Sequence, residues 1–350
     1  VIDRELMNHI VAGRDLTPER METAMRAIMT GQATEAQIGG FLVAMRMKGE
    51  TVPEIAAATT VMRELATDVP VDPSLAEQLV DTCGTGGDAA GLFNVSTAAA
   101  FVVAAAGGHV AKHGNRSVSG KSGSSDLLET AGIAIDTTPE QVAECIRRLG
   151  VGFMFAPAHH GAMKYAIGPR RELGVRTLFN IIGPLTNPAG ARNQVMGVFN
   201  GHLCEPLAEV LHRLGSRHVM IVHGEDGLDE LSINAPTRVA ELKDGRIESY
   251  KIAPEDVGLE RGSLDALRVE NAAESHAIVR DVLTGKPGIA SDMVAFNAGA
   301  ALYVAGHTAD LTAGVAAARE VLASGAAGER MAGLAELTQQ MTGATGVVQP

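Results

Sequence analysis

The sequence predicts an α/β domain with a mostly parallel central sheet, joined to a separate small helical domain. Three observations predict it. Residues 1–72 carry apolar side chains at helical spacing and no β-rich run. Beyond the proline-punctuated stretch 68–73, short apolar strand-like runs alternate with Ala-rich helical ones, the signature of parallel βα units. The loops after the first two of these runs are rich in glycine and hydroxyls, as expected at the C-terminal edge of such a sheet.

In chain order, helices are expected over 1–12, 17–30, 34–48 and 51–66. Thr17 before Pro18, Thr34 three residues before Gln37, and Thr51 with Pro53 and Glu54 are helix-start signals. A strand over 79–83, a glycine-rich loop and a helix over 97–106 follow. A second strand over 109–112 leads through a polar loop to a helix over 125–131. Further strands are expected over 218–223 and 238–242, and the Ala/Gly-rich tail from 313 reads as helices with glycine stops.

Composition narrows the function classes. A chain of 350 residues with 46% hydrophobic and 20% charged residues is an ordinary globular protein, large enough for two domains. The net charge of −12 works against unspecific attachment to nucleic acid or anionic membrane, and base stacking on Trp is excluded because there is none. Cys83, Cys145 and Cys204 are far apart and form no CxxC pair, which fits a reduced, cytoplasmic setting. Charges at Asp3, Arg4 and Glu5 predict no secretory leader, and apolar runs such as 101–107 are too short to span a bilayer.

The first site-building segment is Asp81-Thr-Cys-Gly84-Thr-Gly-Gly87-Asp88, with Asn94-Val95-Ser96-Thr97 opening the next helix. Glycines let backbone N–H groups approach phosphate, and a helix start adds hydroxyls and free N–H groups. Alone, this is equally a tight turn and a helix cap. Its neighbour changes the balance. Between Ala89 and Ser125 there is no Asp or Glu, while His109, Lys112, His113, Arg116 and Lys121 all fall there. The second loop, Lys112-His113-Gly114-Asn115-Arg-Ser-Val-Ser-Gly-Lys-Ser-Gly-Ser124-Ser-Asp126, joins cations, hydroxyls and glycines. Two adjacent loops of this kind predict a site for a phosphorylated ligand.

Two common phosphate motifs fail. Gly84, Gly86 and Ala89 satisfy the dinucleotide spacing, but no acid for a ribose stands about 20 residues on. Gly120-Lys-Ser122 resembles a P-loop end, yet Asn115 occupies the position of its first glycine. The loop from His223 to Ser232 brings Glu225, Asp226, Asp229 and Glu230 together, either a solvated acidic turn or carboxylates suited to Mg²⁺ beside phosphate. His159 and His160 are adjacent and so point apart, favouring packing or hydrogen bonding over joint ligation. Arg170 suits a carboxylate partner, though any single Arg is more often a surface charge. Cys83 has no His close in sequence and reads as small packing.

Together these segments resemble the anthranilate phosphoribosyltransferases of tryptophan biosynthesis. The resemblance rests on Gly84-Thr-Gly-Gly-Asp88, Asn94-Val-Ser-Thr97, Lys112-His-Gly-Asn-Arg116, the 119–124 run Ser-Gly-Lys-Ser-Gly-Ser, Phe155-Ala-Pro-Ala-His-His160, Arg176-Thr-Leu-Phe-Asn180, Gly183-Pro-Leu-Thr-Asn-Pro188 and Asp229-Glu230, all in the family's order. It implies transfer of a phosphoribosyl group from phosphoribosyl pyrophosphate to the amine of anthranilate. It implies a nucleoside phosphorylase/phosphoribosyltransferase-like fold, a helical domain of 1–72 with 162–186 returning to it, and an α/β domain of 73–161 and 187–350. The donor would be bound by Gly84, Gly87, Asp88, Asn94, Val95, Ser96, Thr97, Lys112, His113, Gly114, Asn115 and Ser124. Gly84, Asn115 and Arg170 would hold anthranilate, and Lys112, Asn115 and Arg170 would act by electrostatics and positioning. Ser96, Asp229 and Glu230 would bind two Mg²⁺ per subunit, and the chain would form a homodimer through its helical domain.

Leu92, Gly161 and Gly168 depart from the family's usual residues near the loop and near Arg170. A pyrimidine nucleoside phosphorylase shares the general architecture, but the Lys112–Arg116 motif and the Asp229-Glu230 pair favour the transferase. A non-catalytic phosphate- or nucleic-acid-binding relative would lack the acids and have a basic surface.

Overall fold

The structure, a computed structural model, describes residues 2–88, 90–116 and 121–343. Four helices come first: α1 (Arg4–Val11), α2 (Pro18–Met29), α3 (Glu35–Lys48) and α4 (Val52–Glu64). Each starts where a polar side chain meets otherwise unpaired N–H groups. Asp3 accepts from Leu6 N, and Thr17 accepts from Arg20 N with Pro18 just inside. Thr34 and Gln37 cap one another's backbone at 3.3 and 2.9 Å. Glu54 caps Thr51 N at 2.8 Å, accepts Leu16 N at 2.7 Å and pairs with Lys48 at 2.8 Å, which is how a fully buried carboxylate is tolerated here.

The sheet has seven strands in the order β3 (Val151–Phe155), β2 (His109–Gly114), β1 (Leu79–Gly84), β4 (Asn193–Gly197), β5 (His218–Gly224), β6 (Thr237–Lys243) and β7 (Arg246–Ile252). The first five in this order run parallel, while β6 and β7 pair antiparallel. The remaining helices are α5 (Val95–Ala105), α6 (Ser124–Thr130), α7 (Pro139–Leu149), α8 (Ala156–His159), α9 (Lys164–Leu173), α10 (Leu178–Ile182), α11 (Cys204–Arg213), α12 (Ala272–Leu283), α13 (Ile289–Val304), α14 (Leu311–Ser324) and α15 (Ala326–Thr342). Helix α5 is apolar all round because it lies between the sheet and α13 and α15.

Helices α9 and α10 leave the sheet and pack on α2, α3 and α4. The apolar core of these helices continues through α11 to the face of β4, β5 and β6, so the helical layer and the sheet share one interior. Arg63 of α4 pins that junction by donating to Leu185 O at 2.8 Å and Leu214 O at 3.4 Å.

Strands β3, β4 and β7 go beyond the sequence expectation. β3 runs directly into the turn of helix that carries the paired histidines His159 and His160. β4 opens with Asn193 and Gln194, polar residues that sit in a central strand because their amides are satisfied. Asn193 Nδ2 donates to Glu77 O and Leu79 O, and Gln194 Nε2 donates to Pro184 O at 2.7 Å. β7 is an edge strand with largely exposed residues.

On the outer strands, Glu241 accepts from Tyr250 Oη at 2.7 Å and Tyr303 Oη at 2.8 Å, and contacts His218 Nε2 at 2.7 Å. Burial alone would raise its pKa, but these hydrogen bonds outweigh it and hold the carboxyl at about 2. A depressed carboxylate pKa contributes stability above the unfolded value, near 4.5, that is lost as pH falls through the folded value. Glu241→Gln is therefore expected to lower the melting temperature at pH 7, with the deficit against wild type shrinking between about pH 4.5 and 2.

Candidate active site

The two phosphate-friendly loops follow adjacent parallel strands, β1 and β2, and so open side by side at the C-terminal edge of the sheet. The first loop is closed from the other side by the loop after β5. Gly86 N–H donates to Asp229 Oδ2 at 2.8 Å. Glycine is required where these segments touch. A Cβ on Gly84 would lie 2.6 Å from Asp229 Oδ2, and one on Gly197 would overlap the Asp229 carbonyl. Gly86 and Gly87 adopt positive φ, which turns the loop.

Asp229 and Glu230 are partly buried and adjacent. Burial, then the negative charge of Asp88, pushes the Asp229 carboxyl up to about 7, and the Gly86 N–H only partly offsets this. Glu230 is pushed well above its usual range by burial and by Asp229, although the Ser96 N–H stabilises its charge. Beneath them lies Lys112, 3% exposed, whose Nζ donates to Thr82 O and, at 3.3 Å, to Ser96 Oγ. Burial draws the Lys112 pKa down, while Asp81, Cys83, Glu230 and Asp229 push it back up. Positive charge from one lysine is thus shared among several acids.

This donor set fits a divalent cation. Asp229, Glu230 and the Ser96 hydroxyl gather at the mouth of the loop with more negative charge than Lys112 and two N–H groups balance. Among the described residues no group of three or more His, Cys, Asp or Glu side chains could hold a metal ion. Two carboxylates and a hydroxyl suit Mg²⁺, which keeps waters and phosphate oxygens as its other ligands.

The remaining anticipated residues fall around the same opening. Val95, Ser96 and Thr97 form the first turn of α5. Thr97 is 1% exposed, and its hydroxyl is buried with no hydrogen-bond partner among the described residues. Gly114 and Ser124 are in direct contact, and Ser124 Oγ donates to Asn115 O at 3.3 Å. Asn115 is exposed at the end of β2, with its Oδ1 accepting Arg116 N–H at 2.7 Å. His113 is buried, and burial together with His160 holds its pKa well below the usual range. Its ring lies 5.1 Å from that of His160. Ala89, Ser119 and Gly120 lie outside the described residues.

Arg170 stands in the last turn of α9, on the helical side. Its guanidinium lies 5.3 Å above the Phe179 ring, and no hydrogen bond or ion pair engages it among the described residues. Its segment meets the loops at two points. One is the His113–His160 contact. At the other, Arg176 stacks 4.4 Å over Phe199, whose N–H donates to Thr85 Oγ1 at 3.0 Å.

The paired histidines diverge as anticipated. His159 Nδ1 contacts Thr67 O at 3.0 Å, while His160 Nε2 faces Thr186 Oγ1 at 3.4 Å. Cys83 is a packed thiol that accepts from Gln194 Nε2 at 3.0 Å, and burial raises its pKa. Sequence reasoning missed Asp81 as a support. Its carboxylate is fully buried under both loops, accepting His113 N–H at 3.2 Å and Asn187 Nδ2 at 2.8 Å.

The sequence matches the glycosyl transferase family's helical bundle domain over residues 4–66 and its a/b domain over 76–328. It is 61% identical to the anthranilate phosphoribosyltransferase of Ectopseudomonas mendocina (strain ymp), over 96% of this chain and 97% of that protein. The chain belongs to the anthranilate phosphoribosyltransferase family. Another member of the anthranilate phosphoribosyltransferases, from Thioalkalivibrio sulfidiphilus, is 64% identical over 93% of this chain and 95% of its own length. The crystal structure of the Thermus thermophilus anthranilate phosphoribosyltransferase superposes with a TM-score of 0.89 at 45% identity, covering 95% of this chain and 99% of that one. The Saccharomyces cerevisiae enzyme in complex with PRPP and Mg shares the fold, with a TM-score of 0.84 at 24% identity over 97% and 99% of the two chains.

Proposed function

We propose that this chain transfers the phosphoribosyl group of phosphoribosyl pyrophosphate to the amine of anthranilate, giving N-(5-phosphoribosyl)anthranilate and pyrophosphate in tryptophan biosynthesis. The observation that carries this reading is the Asp229–Glu230 pair closed onto the glycine loop with Lys112 beneath it. In the reaction the C1–O bond breaks with its electron pair leaving on pyrophosphate. The anthranilate nitrogen forms the new C1–N bond and releases one proton. An aromatic amine is neutral at pH 7, so the site needs orientation and electrostatics rather than a strong base.

On this reading Gly84, Gly87, Asp88, Asn94, Val95, Ser96, Thr97, Lys112, His113, Gly114, Asn115 and Ser124 surround the donor. The loop and α5 supply N–H groups to phosphate, and Lys112 supplies fixed positive charge behind the acids. Ser96, Asp229 and Glu230 would hold two Mg²⁺ per subunit, which would supply positive charge to the leaving pyrophosphate. Gly84, Asn115 and Arg170 hold anthranilate, and the unpaired guanidinium of Arg170 is free to take its carboxylate. Names of the relatives favour this reaction over nucleoside phosphorolysis.

The domain division of 1–72 with 162–186, against 73–161 with 187–350, accords with the packing of α9 and α10 on α2 to α4. Homodimerisation through the helical side accords with exposed Val11, Met47, Tyr165, Ile167 and Val175 on or beside α1, α3 and α9. A cytoplasmic location follows from the biosynthetic role; no helix among the described residues is long and apolar enough to cross a membrane.

Mixing the protein with anthranilate, phosphoribosyl pyrophosphate and Mg²⁺ should quench anthranilate fluorescence, and omission of any component or addition of chelator should stop it. Fluorescence that persists with folded protein would sink the assignment. Arg170→Ala is expected to raise the anthranilate KM by about 10- to 100-fold while leaving the donor KM within about twofold, as loss of a charge-assisted hydrogen-bonded pair requires. Steady-state titration of each substrate in turn checks this.

A further inference from the structure

The segment 264–275 plays no part in the reading above, yet it touches both phosphate loops. Phe93 N–H donates to Leu267 O at 3.0 Å and Val269 N–H to Gly91 O at 2.8 Å. Leu92 pairs with Arg268 in an antiparallel bridge, and Arg268 Nη1 donates to Ala90 O at 2.5 Å. The exit of the first loop is therefore held as a short strip of sheet. Glu270 then pairs with Lys121 of the second loop.

Ser275, in the first turns of α12, is fully buried and reaches Asn94. Its Oγ accepts Asn94 N–H at 3.0 Å and donates to Asn94 Oδ1 at 2.7 Å. The same Oδ1 accepts Ser122 Oγ at 2.8 Å, and Asn94 Nδ2 donates to Ser122 O at 3.1 Å. Asn94 stands at the N-cap of α5 but makes no side-chain capping bond to its own helix. Its side chain is engaged with Ser275 and Ser122 instead, which leaves the first-turn N–H groups of α5 without that cap.

We propose that Ser275 is a positioning residue for the sugar-phosphate donor. It holds the Asn94 side chain off the α5 N-terminus and onto Ser122, keeping the first turn of α5 free of an Asn94 cap and the two loops in register. Without the Ser275 hydroxyl, the Asn94 side chain is held by Ser122 alone and more easily turns to cap α5, where it competes with the donor for N–H groups. The inference rests on the phosphoribosyl-transfer reading.

The test uses the full chain, with calorimetric binding of phosphoribosyl pyrophosphate in Mg²⁺ beside steady-state kinetics and thermal melting. Ser275→Ala should weaken donor binding and raise the donor KM about tenfold, leaving kcat and the anthranilate KM within about twofold. Glu270→Gln, at an exposed position, should shift the donor KM in the same direction by a smaller factor. Ser275→Ala combined with Ser122→Ala should raise it by less than the product of the single effects, because both hydroxyls act through Asn94 Oδ1. An unchanged donor KM in Ser275→Ala would overturn the proposal. So would a fall in melting temperature with all kinetic constants changing together. A wild type that binds the donor without transferring it would overturn the transferase reading, while a tenfold weakening of that binding in Ser275→Ala would still uphold the role of Ser275.

Discussion

Asp229→Asn combined with Glu230→Gln is expected to lower kcat/KM at least about a thousandfold, because both carboxylates that would hold Mg²⁺ at the leaving pyrophosphate are removed at once. The same double variant should remain folded and, without metal, melt higher than wild type at pH 8. The sign follows from the direction of the shifts. Both carboxyls are raised in the folded state, Asp229 to about 7. A carboxyl raised on folding contributes stability that is complete below its unfolded pKa and lost as pH rises through the folded one. Metal-free wild type therefore loses stability as pH climbs through about 7, and the neutral amides do not. Melting curves in chelator at pH 5 and pH 8 test this against the assay. A double variant that keeps wild-type rate and Mg²⁺ dependence would remove Asp229 and Glu230 from the reaction.

The second large effect is on folding. Lys112 is the buried cation facing Asp81, Asp229 and Glu230, and its Nζ also ties Thr82 O to Ser96 Oγ. Lys112→Met keeps the length of the side chain but leaves several buried acids without their counter-charge. Removing one partner from such a set destabilises by about 3–5 kcal/mol. Urea denaturation should show a lower midpoint, and donor binding should fall in the same variant because the acids take up protons. A Lys112→Met protein as stable as wild type would mean that the loop N–H groups suffice to balance those acids.

Much of the site was legible because its residues are chemically distinctive and consecutive. The glycine loop and the Asp229-Glu230 pair are each ambiguous alone, and the acid-free, basic stretch between Ala89 and Ser125 beside them tips both towards anion and metal chemistry. The supports were not legible. Asp81 reads as an ordinary strand residue until Asn187 and the His113 N–H are folded onto it. Gly197 carries no signal in the sequence, and only in the fold does the Asp229 carbonyl lie against it. Ser275 lies 181 positions from Asn94, and nothing in α12 marks it.

The sequence by itself determined the four capped helices at the start, the βα alternation, the two glycine- and hydroxyl-rich loops and the family. These follow from periodicity, capping chemistry and residue runs, which are properties of neighbours in the chain. Tertiary structure alone decided that polar Asn193 and Gln194 open a central strand, and that Thr97 turns its hydroxyl inward. It also decided that Lys112 supports acids from below and that α12 ties the two loops together. Each depends on which distant group arrives to satisfy a buried donor, acceptor or charge, and that partner is set by the path of the whole chain.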